Sequence, residues 1–160
     1  MQETTALFSV AALAITLLGF STVVSLFTRR QSSWRADGRF WAMLSCGVTS
    51  FWLCLIPLGL LAFQYNTSAV WFWSSLSQWL ATSMILAFSI YTYRKNLEAN
   101  KPANFKIFLV FVSLLVLVMV LGLMNLSSTF RQFAPFFVGQ LVLLVATSWL
   151  YVRLLFVWLH

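Results

Sequence analysis

Acidic side chains are nearly absent from this sequence. It carries three carboxylates, Glu3, Asp37 and Glu98, and one histidine, His160, which is its last residue. General acid–base catalysis needs a positioned titratable group with a tuned pKa. Proton-coupled carriers usually hold an Asp, Glu or His inside the membrane. All three carboxylates lie outside the long apolar runs, so neither chemistry finds its usual residues here. A Ser-His-Asp arrangement would have to recruit the C-terminal residue. A hard-metal site would need several carboxylates in one place. The residues therefore lead us to expect no enzyme, no metal and no cofactor. Charge of either sign is scarce, at 8% of the chain, where a soluble domain carries about a quarter.

Apolar and aromatic residues fill the space. The chain is 61% hydrophobic, with 16 Phe and 8 Trp among its 160 residues. Trp and Tyr anchor proteins at both faces of a bilayer. Five apolar segments stand out, at about 5–28, 40–63, 69–93, 105–124 and 134–158, each near the roughly 20 residues needed to cross the hydrocarbon core. Runs such as "FLVFVSLLVLVMVLGLM" are apolar on every side, which a barrel strand is not. In lipid each segment must satisfy its own backbone, so each reads as a helix. The expected fold is an all-α integral membrane protein. It is a single transmembrane domain over 1–160, a bundle of five transmembrane helices.

The basic residues then set an orientation. The loop "TRRQSSWRADGRF" holds Arg29, Arg30, Arg35 and Arg39, and "RKNLEANKPANFK" holds Arg94, Lys95, Lys101 and Lys106. These are eight of the ten basic residues. "QYNTS" has none and "NLSSTFRQF" has only Arg131. Five crossings place the two basic loops on one side, and the positive-inside rule makes that side the cytoplasm. The N-terminus is then outside and the C-terminus cytoplasmic. A nucleic-acid site would gather its cations into one patch with polar and aromatic partners. These eight residues instead alternate with topology, beside helix ends. They read as orientation signals that touch lipid headgroups, with no nucleic acid as partner. The first segment lacks a basic n-region and is too long for a signal peptide, so it reads as a retained span.

Several features carry two readings. Asn66-Thr67-Ser68 and Asn125-Leu126-Ser127 match the glycosylation sequon, or are a turn and a helix terminus. Met43, Cys46, Ser50 and Cys54 share one face of the second segment. Soft ligands of this kind suit Cu(I), while small buried residues suit helix packing. The two cysteines are about 12 Å apart along the axis and cannot form a disulfide with each other. Pro57 either kinks the second helix or sits near its last turns. Arg153 either snorkels to the headgroups or holds an ion pair or ligand.

Polar residues within the spans mark the expected interior. Ser75, Gln78, Thr82 and Ser89 share a face of the third segment, and Gln140, Thr147 and Tyr151 share a face of the fifth. Ala12, Thr16 and Gly19 form a ridge of small residues on the first, expected to face the bundle. The fourth has little that is polar except Ser113 and is expected to be the most lipid-exposed. Gln78 and Gln140 are costly to leave in hydrocarbon. Together with Thr82 and Thr147 they are either structural hydrogen-bonding residues or the lining of a ligand site.

The stretches "LLGFSTVVSLFTRRQSSWRADGRFWAML", "LIPLGL" and "VWFWSS" resemble a group of small bacterial multi-pass inner-membrane proteins with no assigned activity. The shared texture covers about the first half of the chain, and includes Trp34, "DGRF" and a proline near the end of the second span. The resemblance implies a bacterial cytoplasmic membrane and supplies no catalytic residues. The expected function is a non-catalytic helix bundle, a subunit or partner in a membrane assembly or a homo-oligomer. The alternative is a small carrier or channel-like protein for an apolar, lipid-like or neutral small molecule.

Overall fold

The computed structural model describes residues 2–27, 38–98, 105–127 and 131–158. These form five helices: α1 (Gln2–Phe27), α2 (Gly38–Ala62), α3 (Thr67–Glu98), α4 (Phe105–Leu126) and α5 (Phe133–Trp158). Four of them, all but α3, are long and apolar enough to cross a membrane. The helices follow the five apolar runs, with one clear extension. The third continues past Tyr93 to Glu98, so Arg94 and Lys95 belong to a helix end rather than to a loop. Cations in a last turn suit the helix dipole.

The packing is centred on α5, which packs against all four other helices. Its spanning stretch is also the most enclosed of the four apolar ones, with 44% of residues buried. The corresponding share in α4 is 22%, the lowest of the four, as its featureless apolar sequence led us to expect. Around α5, α2 packs against both α1 and α3, and α3 packs against α4.

The turn from α2 to α3 shows how local chemistry shapes the bundle. Helix α2 runs through Pro57, which is buried, and ends five residues later. Gln64 then takes a left-handed backbone, φ 58°. This lets the Tyr65 amide donate to the Leu60 carbonyl at 3.2 Å and the Gln64 amide donate to Leu61 at 3.0 Å. Those two bonds close the helix in a Schellman motif. Asn66 caps the next helix, its Oδ1 accepting from the Ser68 amide at 3.2 Å. The first sequon match is therefore a capped turn.

Helix α1 corrects one expectation. Its buried residues are Leu7, Val10, Ala11, Ala14 and Ser21. Ala12, Thr16 and Gly19 lie on the opposite face and are exposed. A Cβ added at Gly19 would meet nothing within 4 Å. The close approach of α1 to α2 is made at Gly47 instead, where a Cβ would lie 2.9 Å from Leu18 Cδ2.

The surface is apolar and the interior is partly polar. Phe8, Trp52, Met84, Phe88, Leu109, Leu123 and Val145 are all exposed, Met84 at 74%. Soluble monomers rarely present so much contiguous apolar surface. Ser50, Ser74, Ser75, Gln78, Thr82, Asn125 and Gln140 are fully buried. This distribution also explains why α3 is the least apolar of the helices. Its polar residues face its neighbours, while Trp73, Leu80, Met84, Phe88 and Tyr91 face outward.

Candidate polar site between α2, α3 and α5

Three helices contribute to one polar region in the interior. On α3, Ser74, Gln78 and Thr82 recur every four residues and so lie one above another. On α5, Gly139 and Gln140 face α3 and α2. The Gln78 carboxamide lies against the backbone of Gly139: a Cβ there would collide with Gln78 Nε2 and lie 3.0 Å from Gln78 Cδ. The amide occupies the position a side chain at 139 would take, so any larger residue there must push it aside. On α2, Ser50 Oγ donates to Gln140 Oε1 at 3.1 Å. Gln78 from α3 and Ser50 from α2 thus meet α5 at adjacent residues, Gly139 and Gln140.

The remaining residues of the sequence-derived set fall around this centre. Thr147, two turns along α5 from Gln140, is buried, and its hydroxyl donates to the Leu143 carbonyl at 2.9 Å. Its methyl group lines the gap above Gly47, 3.5 Å from where a Cβ would stand. Thr147 is therefore already satisfied, whereas Thr82 Oγ1 has no partner. Neither do Gln78 Oε1, Gln78 Nε2, Gln140 Nε2 or Ser74 Oγ, all of them buried. Met43, Cys46 and Cys54 are buried on α2 beside Ser50, and both cysteines are free thiols. Among the described residues, no group of three His, Cys, Asp or Glu side chains comes together to hold a metal.

A second polar knot had no place in the sequence-derived site. Asn125 is fully buried in the last turn of α4. Its Nδ2 donates to Ser75 Oγ at 2.6 Å and to the Gln132 carbonyl at 3.0 Å. Its Oδ1 accepts from the Gln132 amide at 2.8 Å. The side chain ties α4 to α3 and to the start of α5, which leaves no access for a glycan at the second sequon match. The signal available in the sequence was a carboxamide at the end of a greasy helix, which must find partners. Ser113, the polar residue that sequence alone singles out on α4, is exposed and bonds its own helix at Val110.

None of the described cations is in the buried core. Arg94, Lys95 and Lys106 are exposed. Arg29, Arg30, Arg35 and Lys101, and the side chain of Arg39, lie outside the described residues. Arg131 stacks over the Phe72 ring, 4.9 Å from its centroid, and Arg153 lies 5.6 Å from that of Trp149 while remaining exposed. Both contacts are of cation–π type.

Compared with protein-family models, with curated proteins and with solved structures, the chain matches none.

Proposed function

We propose that the protein is a non-catalytic integral membrane helix bundle that acts by association. It serves as a subunit or partner in a membrane assembly, or as a homo-oligomer. All five helices cross the bilayer, including α3, whose 32 residues extend about 48 Å at 1.5 Å per residue. The outward apolar face of α3 and its packing between α2 and α4 support this. The N-terminus is outside, and the C-terminus and both basic loops are cytoplasmic. Arg29, Arg30, Arg35, Arg39, Arg94, Lys95, Lys101 and Lys106 meet anionic headgroups rather than nucleic acid. The membrane is the bacterial cytoplasmic one, in keeping with the resemblance of the first half of the chain.

The observation that carries association is the outward face of α1. Thr5, Ser9, Ala12, Thr16 and Gly19 form an exposed stripe of small residues, with Phe8, Leu13, Ile15 and Phe20 beside it. The Ser9 and Thr16 hydroxyls bond back to Thr5 and Ala12 carbonyls, so the stripe is smooth. No hydrophobic force drives helices together in lipid, and membrane helices associate where small residues let backbones approach. The test is isolation of the full-length protein from its native membrane in mild detergent. The wild type is expected in a stable complex or oligomer, and Thr16→Leu or Gly19→Leu is expected to dissociate it while helix content stays unchanged. A wild type that is monomeric and alone, or variants that assemble normally, would contradict the reading.

A further inference from the structure

We propose that the interface between α2, α3 and α5 binds a small uncharged molecule that both donates and accepts hydrogen bonds. It is held by the carboxamides of Gln78 and Gln140 together with one of the two flanking hydroxyls, Ser74 or Thr82, which stand about 12 Å apart along α3. The proposal does not depend on the assembly reading.

The first argument is the concentration of unmatched polar atoms. Gln78 Oε1, Gln78 Nε2, Gln140 Nε2, Ser74 Oγ and Thr82 Oγ1 are all buried without a protein partner. All four residues are fully inaccessible. Such groups need hydrogen bonds, and the surrounding lipid offers none. The second argument is a contrast among helix hydroxyls. Those of Ser9, Thr16, Thr22, Ser77, Ser83, Ser89 and Thr147 all return to the carbonyl four residues back. The Ser74 and Thr82 hydroxyls do not, although they flank Gln78 on the same face.

Chemistry and size narrow the guest. None of the four residues is ionisable, so a charged guest would meet no counter-charge in a dry interior. Gln140 Oε1 is already engaged by Ser50, which leaves both carboxamide NH₂ groups as donors and Gln78 Oε1 as an acceptor. The guest must therefore accept more than it donates, or offer oxygen lone pairs. It must also be small, because the Gln78 carboxamide itself already fills the space beside Gly139. Water meets these conditions, and so does a neutral solute of the amide, urea or small polyol class.

The experiment uses full-length protein with ¹⁵N-labelled glutamine in detergent micelles. The Gln78 and Gln140 NH₂ resonances are assigned by loss in Gln78→Met and Gln140→Met. Water-selective transfer spectra are recorded first, then titrations with acetamide, urea and glycerol. Direct magnetisation transfer from water to both side-chain amides identifies water as the guest. A saturable shift of both resonances by one solute, lost for Gln140 in Gln78→Met, identifies a neutral organic guest. The Gln132 resonance reports whether each variant keeps its fold. No transfer from water and no saturable shift in the wild type would overturn the proposal, whatever the variants do.

Discussion

Gly139 and Gln78 form one unit: the amide of one occupies the place where the other would carry a side chain. Gly139→Ala removes a helix-weakening glycine, worth about 1 kcal/mol in favour of alanine in an open helix. Here the added methyl must displace a buried carboxamide, and overpacking typically costs about 1–3 kcal/mol. We expect Gly139→Ala to be destabilising, and Gln78→Ala to be much less harmful in that background than in the wild type. A double-mutant cycle by unfolding in mixed micelles measures this coupling. Additive effects, or a stabilising Gly139→Ala, would show that the two residues do not share the space. The burial of both glutamines was legible in the sequence, because a carboxamide among apolar residues has nowhere else to go. The glycine was not. Nothing in "FFVGQLVL" says that a side chain from another helix fills the gap beside it.

The positions of the helices were the most legible feature at the scale of elements, since hydropathy alone marks a bilayer-length run. Their faces were legible only where polarity differed around the helix. On α2, α3 and α5 the polar residues turn inward, as their spacing implies. On α1 the apolar residues are spread almost evenly around the axis, and small residues occur on two faces. Ala11 and Ala14 pack, while Ala12, Thr16 and Gly19 do not. The ends were also less legible. The fourth helix extends to Leu126, which takes Asn125 out of a loop and into a buried clamp. Its partner Gln132 lies across a turn, and a contact of that kind has no local signature. We expect Asn125→Ala to cost about 1–3 kcal/mol, the usual range when a buried partner is left unsatisfied. Ser113→Ala, on the exposed side of the same helix, is expected to be nearly neutral. Equal effects of the two substitutions in chemical unfolding would remove Asn125 from its role as the tie between α3, α4 and α5.

The molecule as a whole has an apolar surface and an apolar core with neutral polar side chains set into it. That distribution goes with the scarcity of charge in the sequence. The described basic side chains, those of Arg94, Lys95, Lys106, Arg131 and Arg153, are kept from the enclosed core, and amides and hydroxyls take the interior positions that ionisable groups would hold in a proton-coupled carrier. Association through α1 and a guest between α2, α3 and α5 use different surfaces, so either can fail without the other. Both require that α3, the least apolar helix, crosses the membrane with its neighbours. The direct measurement is labelling of Tyr65→Cys and Glu98→Cys, one at a time, in a Cys46→Ala/Cys54→Ala background, with a membrane-impermeant maleimide. Both positions are exposed and stand just before α3 and at its end. In intact cells Tyr65→Cys is expected to react and Glu98→Cys to react only after the membrane is opened. Reaction of both from the same side would contradict five crossings and the orientation built on them.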